Sequence, residues 1–143
     1  MAVDYSVSVR IGMLDAIEAA IGSSPKLRFY SGTKPSRCSA AVGGSDVLIA
    51  TLTLTGDFMS NASESTTNVV TKAKNPASTW SASAVADGTI GYYRIYDSAL
   101  TTCHEQGTVG VGSGDISLDN NVVTTGQTIT ITGKTITAGN AGV

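Results

Sequence analysis

Charge is scarce in this chain. Asp, Glu, Lys and Arg supply 14% of its 143 residues, against about 25% in ordinary soluble domains. The formal balance is −2. With no basic excess to neutralise a phosphate backbone, nucleic acid is not an expected partner. One histidine and two cysteines fall short of a zinc site, which takes three or four Cys, His or carboxylate ligands. Two cysteines are also too few for a disulfide framework. Long hydrophobic runs are missing. The longest aliphatic stretch lies near residues 47–50, whereas a membrane-spanning helix needs about 20 apolar residues. Residues 1–9 hold neither the basic region nor the apolar run of a secretion signal, and they carry Asp4. The expectation is a protein made and folded in the cytoplasm, with Cys38 and Cys103 as two unbridged thiols.

What is present suffices for a core. Hydrophobic residues make up 41%, in a length that reads as a single domain over residues 1–143. Thr, Ser, Gly and Ala fill the place of the missing charges, and Thr favours strands. A weakly charged surface of this kind has two readings. Either the outward strand positions are hydroxyls, or the surface is buried against neighbours in a large assembly.

The strongest strand signal is Gly91-Tyr92-Tyr93-Arg94-Ile95-Tyr96-Asp97, and Leu27-Arg28-Phe29-Tyr30-Ser31 echoes its order. Strand alternation puts Leu27 with Phe29, and Tyr93 with Ile95, on one face. Arg28 and Tyr30, like Arg94 and Tyr96, point the other way. The two segments are expected to pair or to share a sheet.

Residues 7–22 predict the one helix. Met13, Leu14, Ile17, Ala20 and Ile21 form its apolar side, and Asp15 and Glu18 face away from it. Ser6 or Ser8 suits the cap, and Gly22 with Pro25 is a stop signal. Strands are expected at 26–31, 46–55, 69–74, 79–85, 99–109, 115–119, 122–124 and 127–137. In 46–55, Leu48, Ala50, Leu52 and Leu54 face the core, opposite Ile49, Thr51, Thr53 and Thr55. In 69–74, Lys72 and Lys74 read as charges guarding an edge strand. Residues 32–45, 61–68 and 110–114 read as loops, and 138–143 as a small-residue tail. Many short strands between turn signals point to an all-β fold: an antiparallel β-sandwich or jelly roll with one N-terminal amphipathic helix. The expected core includes Leu27, Phe29, Leu52, Leu54, Tyr93, Ile95, Ile129 and Ile131.

No catalytic constellation emerges. The only histidine, His104, stands between Cys103 and Glu105. In a strand, Cys103 and Glu105 share a face and His104 takes the other, which does not suit a thiolate–imidazole pair. The glycines of residues 110–114 follow a strand but precede no helix pattern, so they are not a phosphate loop. Asp115, Asp119, Asn120 and Asn121 miss the spacing of an EF-hand loop, and turn chemistry accounts for them better. The expectation is no enzyme, no metal and no cofactor.

In order, the chain runs: amphipathic helix; Lys-Leu-Arg-Phe-Tyr-Ser-Gly; Leu-Ile-Ala-Thr-Leu-Thr-Leu; a Trp strand; Gly-Tyr-Tyr-Arg-Ile-Tyr-Asp-Ser; a glycine loop; and Asp-Ile-Ser-Leu-Asp-Asn before Gly-Gln-Thr-Ile-Thr-Ile. This resembles small virion structural proteins of tailed bacteriophages, above all capsid decoration (cement) proteins. The resemblance implies a β-sandwich or jelly-roll subunit on the capsid surface, bound to the major capsid protein and to copies of itself. It implies no catalytic residues. Tail, fibre or adaptor components and carbohydrate-binding modules of similar fold are the alternatives, with Trp80 and the tyrosines as candidate glycan platforms. Candidate partner-binding residues are the N-terminal segment Met1, Ala2, Val3, Asp4, Tyr5 and Ser6, and the strand face Arg28, Tyr30, Arg94 and Tyr96.

Overall fold

The computed structural model describes residues 3–138. Among them are one helix, α1 (Val7–Ile21), and ten strands: β1 (Lys26–Ser31), β2 (Leu48–Thr53), β3 (Ser63–Thr66), β4 (Val69–Ala73), β5 (Ser81–Ser83), β6 (Gly88–Tyr96), β7 (Cys103–Val111), β8 (Ile116–Leu118), β9 (Val122–Val123) and β10 (Thr128–Ala138). The strands form one mixed sheet in the order β2-β1-β6-β7-β8-β10-β4-β3, with β5 on β10 and β9 on β6. The two echoing segments are neighbours. β1 and β6 pair antiparallel, with Leu27 opposite Ile95, Arg28 opposite Arg94 and Phe29 opposite Tyr93.

The sheet curls. Just beyond β5, the Val85 amide donates to the Ile49 carbonyl of β2 at 2.7 Å, so β5 and β2 meet although they lie far apart along the strand path. The main core, built on Leu27, Phe29, Leu52, Leu54, Trp80, Tyr93, Ile95, Ile129 and Ile131, is held between them. All eight residues expected in the core are buried.

Several local expectations are corrected, each by a backbone event that side-chain patterning does not report. In β2, register slips opposite Phe29 and Tyr30, so Ala50 faces Phe29 while Leu48 faces Tyr30. The extra residue turns Ile49 into the core and leaves Leu48 only half-buried. Residues 61–68 are not wholly a loop. They contain β3, an exposed polar strand paired to β4 across a turn at Asn68 (φ 63). β3 is therefore the edge, and β4 lies between β3 and β10. This explains why Lys72, expected as an exposed edge charge, is buried. One pairing in the expected antiparallel sheet is parallel, that of β7 with β8. The chain reverses twice within a few residues to achieve it, through Gly112 and Gly114 at φ 67 and 81.

Helix α1 starts at Ser6, whose Oγ accepts from the Val9 amide at 3.3 Å, and stops at Gly22, φ 86. Its buried residues are Arg10, Leu14 and Ile21, with Ile17 partly covered. Met13 and Ala20, expected inward, are exposed. The helix is rolled because its charges go inward. Asp15 and Glu18 both meet Lys72 Nζ at 2.9 Å. Asp15 also accepts from the Ala62 amide, and Glu18 from the Met59 amide. Beneath α1 lies a small second core of Leu14, Ala62 and Val70. Among the described residues no helix is long and apolar enough to cross a membrane.

Candidate functional site: an arginine–tyrosine face under a pinned loop

Residues opposite each other in paired strands project to the same side. The β1–β6 register therefore gathers Arg28, Arg94, Tyr30 and Tyr92 on the side away from the main core. Tyr30 and Tyr92 stack there, with ring centroids 5.2 Å apart and planes 16° from parallel. Tyr96 follows on the same side. The opposing strand β7 skips a residue there, pairing Ile95 with Glu105 and Tyr96 with Cys103. His104 is the bulged residue. Cys103 and Glu105, expected on one face, thus lie on opposite faces of the sheet.

The segment 32–46 crosses this face and is tied down by the face itself. The buried Arg94 guanidinium donates through Nη2 to the carbonyls of Ala40 (2.8 Å) and Arg37 (3.3 Å), and through Nε to Gln106 Oε1 at 3.2 Å. Gln106 Nε2 donates to the Pro35 carbonyl at 2.7 Å. The Tyr92 hydroxyl donates to Asp46 Oδ2 at 2.8 Å. A disulfide joins Cys38 in the loop to Cys103 on β7, with Cα atoms 5.5 Å apart. The expectation of two unbridged thiols is overturned. The partners lie 65 residues apart, and only the docking of the loop on β7 brings them together. The same geometry shows why Gly91 is glycine: a Cβ there would overlap the Gly32 carbonyl oxygen where the loop departs.

Between loop and sheet opens a cavity of about 620 Å³, lined by Arg37, Ser39, Arg94, Tyr96, Thr101, Thr102 and the disulfide. Burial, then hydrogen bonding with Tyr96, pushes the Tyr30 phenol up, and burial, then the bond to Asp46, pushes Tyr92 up. Both remain neutral donors across the physiological range. Asp97 follows Tyr96 in the chain, and its carboxylate is turned to Thr101 and Thr102. The Thr101 hydroxyl, then the backbone amides, hold its pKa below the ordinary value.

Two other polar clusters lie elsewhere. On the core side, the Tyr93 hydroxyl donates to Glu105 Oε1, and Lys134 Nζ reaches both, at 2.8 Å from the Tyr93 oxygen. Burial, then the Glu105 charge, raises the Tyr93 phenol far above its usual range. It is held as a neutral donor and braces β6, β7 and β10. The other cluster is Lys72 with Asp15 and Glu18. Among the described residues, no group of three or more His, Cys, Asp or Glu is placed to hold a metal ion. Trp80 lines a cavity of about 480 Å³ with Asp57 and Asn75. Its ring is only 2% exposed and offers no open face for a sugar to stack on.

The candidates from sequence separate into two places. Arg28, Tyr30, Arg94 and Tyr96 do converge, although Tyr30 and Arg94 are buried under the loop. Val3, Asp4, Tyr5 and Ser6 form an exposed N-terminal arm. The arm is tied through the Tyr5 carbonyl to Arg10, which also donates to the carbonyls of Asn68 and Ala138. Met1, Ala2 and the tail residues 139–143 lie outside the described residues. Sequence reading missed Arg37, Gln106, Thr101 and Thr102 as members of the site. Only the cysteine pair carried a signal for that contact. Comparison with known proteins adds no assignment: no family model, no curated protein and no solved structure matches this chain.

Proposed function

We propose that this chain is a non-enzymatic structural protein of tailed-phage virions, of the sandwich or jelly-roll kind. It decorates the capsid and stabilises it by binding the major capsid protein and further copies of itself. The observation that carries this reading is the outward side of α1. Arg10, Asp15 and Glu18 are spent on contacts within the molecule. Outward, the helix presents Ser8, Val9, Gly12, Met13, Ala16, Ala19 and Ala20, without one charge. Val9 and Met13 are 46% and 50% exposed, and Val3 and Tyr5 of the arm continue the apolar strip. The helix part of this surface is desolvated against protein with Asp15 already paired to Lys72, and its complement is a largely uncharged patch on the shell protein with a polar partner for the exposed Asp4 of the arm. A contact one helix long is small, and repetition on a symmetric shell multiplies it. The order of sequence segments, which resembles that of decoration proteins, points the same way.

Particles with and without the protein, challenged by heat or osmotic shock, test it. The expected result is lower shell stability without the protein, many copies per particle, and loss of attachment in the folded variant Met13→Glu. Unchanged shell stability with only a few copies per particle would replace decoration by a tail, fibre or adaptor role.

A further inference from the structure

We propose that the cavity beneath the disulfide-pinned loop is a carboxylate-binding site that takes an acidic side chain from a partner polypeptide. The inference rests on the cavity alone and stands whether or not the chain decorates a shell. Arg94 is 3% exposed, and a buried guanidinium ordinarily has a carboxylate for company. Among the described residues, the ion pairs are those of Lys72 and Lys134, and none involves Arg94. Its Nε and Nη2 hydrogens are consumed by Gln106, Arg37 and Ala40, while Nη1 has only the Tyr96 hydroxyl at 3.5 Å. A strong donor is thus left underused at the cavity wall. Arg28, directly opposite Arg94 in the sheet, adds like charge, and its Nε is buried without a hydrogen-bond partner. Side by side, two arginines repel each other unless an anion arrives.

The lining agrees. Arg37 brings a second cation to the cavity, and Ser39, Tyr96 and Thr102 bring hydroxyls, with no acidic residue in the wall. Asp97, next to Tyr96 in the chain, is occupied by Thr101 and Thr102. Arginine's planar donors match a carboxylate, and about 620 Å³ accommodates more than the headgroup, within the range of about 300–1,000 Å³ for ligand clefts. A polypeptide suits it better than a sugar acid. Tyr30 and Tyr92 are buried against each other, and Tyr96, the one aromatic in the wall, is engaged through its hydroxyl by Arg94, so a single tyrosine is all the aromatic surface a pyranose would find.

The test is a titration of the intact, oxidised protein with N-acetyl-hexaglutamate, with N-acetyl-hexaglutamine and glucuronate as controls, followed by amide chemical shifts. Binding of the glutamate peptide alone is expected, with shifts concentrated at residues 37–40 and 101–103. Arg37→Ala, an exposed position that holds the loop by its carbonyl and not its side chain, should weaken binding about tenfold or more. Arg94→Lys, which keeps the charge and loses the fork, should weaken it as well, with its disulfide verified by thiol labelling. Equal binding of the glutamine peptide, shifts elsewhere on the surface, or an Arg37→Ala affinity equal to that of the parent would overturn the proposal. Binding of glucuronate in preference to the peptide would overturn the assignment of a polypeptide partner.

Discussion

At the scale of single residues, the disulfide and Gly91 decide whether the arginine–tyrosine face keeps its cover, and Ile95 anchors the strand beneath it. The Cys38–Cys103 bridge closes a span of 65 residues, and a loop of that length stabilises a fold by about 2–4 kcal/mol through the unfolded state. Alkylation of the denatured protein should add no label before reduction and two labels after it. Reduction, or the double change of Cys38 and Cys103 to Ser, should lower the melting temperature, and an unchanged melting temperature would show that the bridge does not constrain the loop. Gly91 is the second position. Gly91→Ala drives a methyl into the Gly32 carbonyl, a backbone atom that cannot rotate away, so a loss of about 1–3 kcal/mol is expected. Ile95, on the opposite side of β6, is 1% exposed, and Ile95→Ala should cost about 2–5 kcal/mol in denaturant unfolding. Of these three roles, only the burial of Ile95 was legible in the sequence, because alternation within one strand reports it. The bridge and the glycine depend on a loop returning over the sheet, and nothing local to either residue encodes that return.

At the scale of elements, legibility follows how local the cause is. The pairing of β1 with β6 could be anticipated because both segments carry the same alternation of apolar, arginine, apolar and tyrosine residues. The facing of α1 could not. Periodicity placed Met13 and Ala20 inward, yet the helix is turned so that Asp15 and Glu18 reach Lys72, from β4, far along the chain. For Lys72, burial alone would depress the pKa, but hydrogen bonds to Asp15 and Glu18 outweigh it and the net shift is upward. Asp15 is lowered, first by the Ala62 amide and then by Lys72. The two signs define a pH window. The contribution of Asp15 is present above its unfolded value near 3.8 and fades as pH falls through the lower folded value. That of Lys72 is present below its unfolded value near 10.5 and fades as pH rises through the higher folded value. Docking of α1 should therefore be flat with pH between those limits and weaken on both sides. Hydrogen exchange of the α1 amides across pH, corrected for intrinsic rates, measures this. A docking strength that varies steadily through neutral pH would contradict the assignment.

At the scale of the whole molecule, the two cores are unequal. The larger one spans β1, β2, β6, β8, β9 and β10, while the smaller one under α1 rests on Leu14, Ala62 and Val70. Ile17 and Ile136 touch both cores and Ile21 of α1 lies in the larger one, so the α1–β3–β4 layer is joined to the rest by these few side chains and by the β4–β10 ladder, while the Lys72 cluster holds α1 to β4 within the layer. A layer held by few buried contacts opens at lower free energy than the body it sits on. Removing one partner of a buried ion cluster costs about 3–5 kcal/mol, and in Lys72→Ala that loss should fall on the layer first. Native-state hydrogen exchange should show the amides of α1 and β3 exchanging on the order of 100-fold faster or more in Lys72→Ala. The slowest amides of β1, β6 and β7 should keep a common, much higher protection. The apolar outward side of α1 belongs to this weaker layer, so a partner that covers it would also staple the layer to the body, and protection of α1 should rise when the partner binds. If Lys72→Ala instead accelerates every slow amide equally, the molecule opens as one cooperative unit, and the division into body and layer is wrong.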